Sequence, residues 1–398
     1  NNLNQRRNEM KITITVIKAD IGSIGGHIKP SAELVGEVTR VIASEKERLI
    51  IDYFIGTTGD DIAILMTHTR GVASEKIHGL AWNAFKEATD RVAKKQGLYG
   101  AGQDLLKDAF SGNVRGLGPA VAEMEIEERP AEPFVLFAAD KTDPGAYNLP
   151  LYLAFADPMY CSGLILVPKM SKGFKFRIID VEYTECVKCK NWHIHEQGCA
   201  GAEKNPKGDK IIELNAPEDI YSIATLLRDN QRYLIEAIMS RETGAIAAVV
   251  STTRLHNIAV KYTGKDDPVM LVRAQGDFPA TGEILAPFEK CHLVAGFMRG
   301  SHTGPLMPSK LFTDISYFDG PPVVTGAAFS MRDGVLVGPA DVFANPFWDE
   351  VRRKASQKAI FIREQGFSGA AMLPMSELEY GGIVEKLKEL EKRFTYRS

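Results

Sequence analysis

From Lys11 to Lys18 apolar and polar residues alternate, with Ile12, Ile14 and Val16 on one side and Thr13 and Thr15 on the other, which predicts a strand. It runs into a glycine-rich loop, Ala19-Asp20-Ile21-Gly22-Ser23-Ile24-Gly25-Gly26-His27. Ser31 then opens a helix whose Leu34, Val38, Val41 and Ile42 share one stripe. Leu49–Ile55 and Ile62–Met66 read as strands of a hairpin around Gly59-Asp60-Asp61, followed by a long helix near 74–96 with Ile77, Leu80, Ala84, Phe85, Ala88 and Val92 inward. Glu123–Glu127 and Phe134–Ala138 read as strands, the second delivering Asp140-Lys141. Downstream, strands are predicted at 163–167, 174–183, 232–239, 246–251, 269–274 and 323–329. Helices are predicted from Pro217-Glu218-Asp219 to Leu227, near 346–365 and near 376–393. Strand-strand-helix order favours antiparallel or mixed sheets flanked by helices over a doubly wound parallel sheet. No low-complexity linker divides the chain.

Composition narrows the class. The 398 residues carry 48 Lys+Arg against 51 Asp+Glu, interspersed, for a formal charge of -3. That balance offers neither a nucleic-acid surface nor a membrane-binding face. No apolar run is long enough to span a bilayer. Five cysteines, an odd number, argue against a disulfide framework, and the expected location is cytoplasmic. Residues 1–9 are polar, lack the apolar centre of a signal peptide and read as an N-terminal extension or disordered arm, with Met10 as the natural start.

The chemistry concentrates in acidic residues at predicted strand ends: Asp20, the pair Asp60-Asp61, Asp140, and the pair Asp266-Asp267. Any one of them alone is more often a turn or helix cap. Together, in two adjacent pairs, they describe oxygen ligands for a hard cation, Mg²⁺ rather than zinc. Gln103 lies in a further glycine-lined turn. Lys141 and Arg299, beside glycines or acids, suit phosphate, as does the turn Ser111-Gly112-Asn113. His27 follows a double glycine and points at substrate on this reading. In Lys261-Tyr262-Thr263-Gly264-Lys265-Asp266-Asp267-Pro268 a lysine stands beside two carboxylates, with a tyrosine three residues upstream. Lys265 is either a counter-ion in a solvated turn or an amine nucleophile, and Tyr262 could then move protons for a carbonyl reaction.

These motifs resemble the fructose-1,6-bisphosphate aldolase/phosphatase family, a bifunctional gluconeogenic enzyme family of archaea and some deep-branching bacteria. The likeness runs from Met10 to the C-terminus and rests on the segments 17–22, 59–61, 98–113, 137–142, 264–269, 298–302, 318–322 and 377–380. It implies an α+β fold, a four-layer α-β-β-α sandwich forming a single catalytic domain over residues 10–398, assembled as a homo-octamer. It implies that Lys265 forms a Schiff base with dihydroxyacetone phosphate and that Tyr262 is the acid/base of its condensation with glyceraldehyde 3-phosphate. Asp20 would be the base for Mg²⁺-dependent removal of the 1-phosphate from fructose 1,6-bisphosphate. The implied Mg²⁺ ligands are Asp20, Asp60, Asp61, Gln103, Asp140, Asp266 and Asp267. The implied substrate contacts are His27, Tyr99, Gly112, Asn113, Lys141, Gln275, Gly276, Arg299, Asp319 and Tyr380. Competing expectations are an Mg²⁺-dependent sugar phosphatase without aldolase activity, and a non-catalytic sugar-phosphate sensor on the same scaffold.

One segment departs from the family pattern. At about 185–208 the chain carries an insertion with Cys186, Cys189, His193, His195 and Cys199. These are the ligand types of a closed structural zinc site, although the spacing matches no standard finger, and a surface loop with incidental cysteines is the competing reading.

Overall fold

The computed structural model describes residues 11–105, 118–181, 209–252, 266–297, 302–315, 320–364 and 382–397. Strand β1 (Lys11–Ala19) is central to the N-terminal half. After it come helix α1 (Ala32–Ala43), β2 (Asp52–Thr58), β3 (Asp61–His68), helix α2 (Glu75–Ala88) and β4 (Ala120–Glu127). The four strands pair antiparallel in the order β2-β3-β1-β4. Helix α1 starts where expected because Ser31 Oγ accepts the Leu34 N–H, satisfying one of the orphan donors of the first turn. The helical run from α2 continues through a π-turn, Thr89–Ala93, to Gln96, so the long helix predicted near 74–96 is present with an irregular end.

The second sheet holds β5 (Glu132–Asp140), β6 (Phe174–Asp180), β7 (Asp209–Asn215), β8 (Tyr233–Ser240), β9 (Ile246–Val250) and β10 (Val269–Arg273). A separate pair, β11 (Leu293–Phe297) and β12 (His302–Pro305), precedes β13 (Met307–Pro308), β14 (Val323–Arg332), β15 (Val335–Asp341) and β16 (Thr395–Arg397). The large sheet runs β13-β14-β5-β10-β9-β8-β6-β7-β16, with β15 on β14. All its pairs are antiparallel except β13–β14. The mixed, largely antiparallel expectation therefore holds, and the class is α+β.

Among the described residues three large apolar cores hold these elements. Ile12, Ile14 and Val16 of β1 pack with Phe134, Leu136, Val269 and Leu271, joining the two sheets. Ile17 and Ala19 point the other way, against α1 and α2 through Leu34, Val38, Ile77 and Phe85. The outer face of the large sheet is covered by helices α3 (Asn148–Ala156) and α5 (Ile220–Leu227), through Phe155 and Ile223, and by α6 (Phe347–Glu364), through Val351. Full burial of each large aliphatic chain contributes roughly 1.5–3 kcal/mol. Among the described residues no helix is long and apolar enough to cross a membrane.

One predicted element is wrong. The apolar run 163–167 is not a strand but a single helical turn, α4 (Gly163–Leu166), closed by Val167 N–H to Gly163 O. Its Gly163 N–H is anchored by Glu283, and Pro168 ends it; Ile165 and Leu166 face outward, so apolar content misled where no strand partner is present among the described residues. The helix predicted near 376–393 is described as α7 (Gly382–Glu391), its earlier part lying outside the described residues.

Thr13 and Thr15 are fully buried, because both faces of β1 are covered. Thr15 accordingly sits in a polar chain. The Arg70 N–H donates to His68 Nδ1 (3.2 Å), so His68 carries its proton on Nε2, 2.9 Å from Thr15 Oγ1, and Thr15 donates to Glu123 (2.7 Å). A second proton on His68 would set two donors against each other, and burial holds its pKa down at about 4, against the pull of Glu123. The folded state thus refuses a proton that the unfolded chain takes up below about pH 6.5. Stability should therefore fall as pH drops from about 6.5 to about 4, by on the order of 3 kcal/mol from this group. Urea unfolding across that range should show a steeper loss in wild type than in His68→Gln; identical slopes would clear His68.

Candidate metal and phosphate site

Four strand ends converge. Asp20 follows β1; the two-residue turn Gly59-Asp60 joins β2 to β3, which begins with Asp61; β5 ends at Asp140, followed by Lys141; and Asp267 stands two residues before β10. β1 and β3 belong to the small sheet, β5 and β10 to the large one, so the site is assembled across the core that joins the sheets.

Backbone contacts fix several of the acids. Asp20 is fixed from behind by Asp104, whose carboxylate accepts the N–H groups of Asp20 (2.9 Å) and Gly118 (3.0 Å). Gly59 has φ +57, and a Cβ there would stand 1.6 Å from Asp140 Oδ2, so only glycine lets the hairpin turn approach Asp140. Lys141 and Asp267 are both left-handed, at φ 63 and φ 54. Their turns lock together: Asp267 N–H donates to Thr142 O (2.8 Å), and Thr142 N–H donates to Asp267 Oδ1 (2.7 Å). Strained non-glycine residues of this kind cost on the order of 1 kcal/mol each and persist where surrounding contacts over-determine them.

Two groups of ligand atoms result, Asp20–His27–Asp60 and Asp61–Asp140–Asp267, each with its atoms within 4.8 Å of one another. His27 Nδ1 is 2.8 Å from Asp60 and 3.7 Å from Asp20, and its ring meets Tyr99 edge-on at 5.0 Å. His27, expected as a substrate contact, thus stands in a ligand group as well. Lys141 Nζ bridges Asp60 (2.6 Å) and Asp140 (3.1 Å), and Lys18 Nζ pairs with Asp61.

The electrostatics follow from crowding. Burial, then the carboxylates of Asp60, Asp61 and Asp104, hold Asp20 well above the usual carboxylate range. Asp140 is likewise held well above it by burial and by Asp60 and Asp61, against Lys141. Burial pushes Asp61 up to about 6 against the pull of Lys18. Asp60 goes the other way: burial is outweighed by its bond from His27 and by Lys141, so it lies well below the usual range. Burial would depress Lys141, but Asp140 and Asp60 outweigh it and hold it well above a normal lysine. Carboxylates that raise one another's pKa are what a divalent cation relieves. The donors are oxygens with one imidazole, which suits Mg²⁺, and the residues present fit it.

Of the expected ligands, Asp20, Asp60, Asp61, Asp140 and Asp267 come together. Asp266 is half-buried beside Asp267. Gln103 lies next to Asp104, its amide oxygen turned toward Gly100. Tyr99 is exposed at the mouth beside His27. Gln275 and Gly276 do not join them. They follow β10 at the Pro133 end of β5, and the nine residues of β5 span about 26 Å at roughly 3.3 Å per residue. Tyr262, Lys265, Gly112, Asn113, Arg299, Asp319 and Tyr380 lie outside the described residues, as do Cys186, Cys189, His193, His195 and Cys199. Sequence reasoning missed Lys18 and Asp104. The signal for Lys18 was a lysine in phase with Ile12, Ile14 and Val16; Asp104 had none.

Gly59→Ala should force Asp140 out of its group and strain the turn. Mg²⁺ affinity, measured by titration calorimetry, should fall by roughly tenfold or more. Wild-type affinity in this variant would remove Asp140 from the ligand set.

Comparison with known proteins gives the family. Residues 11–395 match the family model described as fructose-1,6-bisphosphatase. A fructose-1,6-bisphosphate aldolase/phosphatase of Thermus thermophilus is 55% identical over 97% of this chain and 100% of its own length. Proteins of the same name from Ignicoccus hospitalis and Sulfurisphaera tokodaii are 50% and 49% identical, over 96% and 98% of this chain and 93% and 95% of theirs. With the match extending across both ligand groups, the chain belongs to the fructose-1,6-bisphosphate aldolase/phosphatase family.

Proposed function

We propose that the chain condenses dihydroxyacetone phosphate with glyceraldehyde 3-phosphate and then removes the 1-phosphate of the fructose 1,6-bisphosphate formed, giving fructose 6-phosphate in the gluconeogenic direction. The observation that carries the reading is the pair of ligand groups with Lys141 between them, in a chain whose relatives bear both activities in their names.

In the hydrolytic step Asp20, Asp60 and His27 form one ligand set and Asp61, Asp140 and Asp267 the other, with Gln103 and Asp266 as further ligands. Bound Mg²⁺ supplies charge neutralisation at the phosphoryl oxygens. Asp20, beside His27 and Asp60, takes a proton from the attacking water. Lys141 turns from Asp60 toward the phosphate, and Tyr99 bounds the mouth. In the condensation Lys265, covalently next to Asp266, supplies the amine for the Schiff base, and Tyr262 moves the proton. Gly112, Asn113, Arg299, Asp319 and Tyr380 complete the substrate contacts.

Gln275 and Gly276 serve a second copy of the chain, since they cannot reach the acidic groups of their own. The outward Met159, Ile165, Leu166 and Tyr221 support a homo-oligomer, with the octamer as the expected form. The three cores support a helix–sheet–sheet–helix order within one domain. We assign the enzyme to the cytoplasm, and a structural Zn²⁺ to Cys186, Cys189, Cys199 and one of His193 and His195.

Borohydride reduction in the presence of dihydroxyacetone phosphate, followed by peptide mapping, should place the adduct on Lys265. Lys265→Arg keeps the charge but cannot form an imine, so condensation should disappear while phosphate release persists. Phosphate release without condensation in wild type would leave a sugar phosphatase, and neither activity a sensor. Asp20→Asn should lower phosphate release by about 100-fold or more, because it removes a ligand and the base together. Wild-type hydrolysis at saturating Mg²⁺ would make Asp20 peripheral.

A further inference from the structure

The period of two along β1 puts Lys18 on the same face as Ile12, Ile14 and Val16, inside the core between the sheets. Its backbone neighbours across the ladder are Ala63 on β3 and Ala120 on β4, two small residues that leave a slot for the lysine stem. Lys18 is 1% exposed, and a buried ammonium is tolerated only when paired. Its partner is Asp61 Oδ2. Lys141 differs: its side chain is 14% exposed at the opening and bridges Asp60 and Asp140, so it can turn to an incoming phosphate. The acidic cluster therefore has one exchangeable cation and one built into the sheet.

We propose that Lys18 is a positioning residue of the metal site. It claims one oxygen of Asp61, fixes that carboxylate's rotamer against repulsion from Asp60 and Asp267, and leaves the other oxygen for a divalent cation shared with Asp140 and Asp267. The inference rests on the metal-dependent reading above and adds to it a residue that touches neither metal nor substrate. A lysine that only balanced buried charge would act in the opposite sense, since its removal would strengthen attraction for a cation. A lysine that only filled space would affect folding and leave affinity alone.

Lys18→Met keeps length and suits the apolar stripe, while Lys18→Arg keeps a charged donor. Mg²⁺ titration by calorimetry on the full chain without sugar phosphate, alongside the Tm of the metal-free protein, separates the cases. Positioning predicts roughly tenfold or greater loss of Mg²⁺ affinity in Lys18→Met, with most of it restored in Lys18→Arg. Unchanged or tighter binding in Lys18→Met, whatever its Tm, overturns the proposal. Absence of Mg²⁺ binding in wild type overturns the metal reading itself, a separate result. Should Lys18→Met fail to fold, reductive methylation of wild type with and without Mg²⁺, mapped by mass spectrometry, decides. Lys18 unmodified in both states supports a permanent pin, and modification of Lys18 in the presence of Mg²⁺ overturns it.

Discussion

The carboxylates of Asp20, Asp60, Asp61, Asp140 and Asp267 are crowded at one end of two packed sheets, and the rest of the site answers their mutual repulsion. Two lysines meet the cluster from opposite sides, Lys18 from within the sheet core and Lys141 from the opening. Among the described residues these two counter-charges are too few for the five acids, and burial makes each unpaired charge expensive. A divalent cation held there would relieve the conflict and lessen the repulsion an incoming anion would meet.

Holding acids close against their repulsion requires a stiff frame. The core of Ile12, Ile14, Val16, Phe134 and Leu271 locks the sheets together, so the ends of β1, β3, β5 and β10 keep their spacing. Local devices finish the job: Gly59 lets a turn touch Asp140, Asp104 ties Asp20 to Gly118, and the Lys141 and Asp267 turns bond to each other. Gly296 belongs to the same arrangement, since a Cβ there would come within 2.8 Å of Thr142 Cα.

The opposite end of β10 is built differently. Arg129 donates to the carbonyls of Gln275 and Ala274 and pairs with Glu132, which also holds buried Arg273, while both guanidinium groups stack on Phe278. That network fixes the left-handed turn at Gln275 and Gly276 far from its own chain's acids. One strand thus carries candidate ligands at its start and a separately braced turn at its end.

The sequence by itself determined the strand positions of the acids, because alternation marks where a strand stops and the next residue enters a loop. It also determined the family, through long matched segments on either side of each acid, and the α+β class, through strand-strand-helix order. Short apolar runs misled: 163–167 reads as a strand, and in the fold, with no strand partner among the described residues and Glu283 anchoring its start, it is a turn of helix. Tertiary structure alone decided which acids stand together, since Asp60 and Asp61 are neighbours in sequence yet fall into different groups. It also decided that His27 joins Asp20, that Lys18 pairs with Asp61, and that Gln275 stands apart. Those outcomes depend on which strand ends meet across the sheets, a contact between residues far apart in the chain that no local pattern encodes.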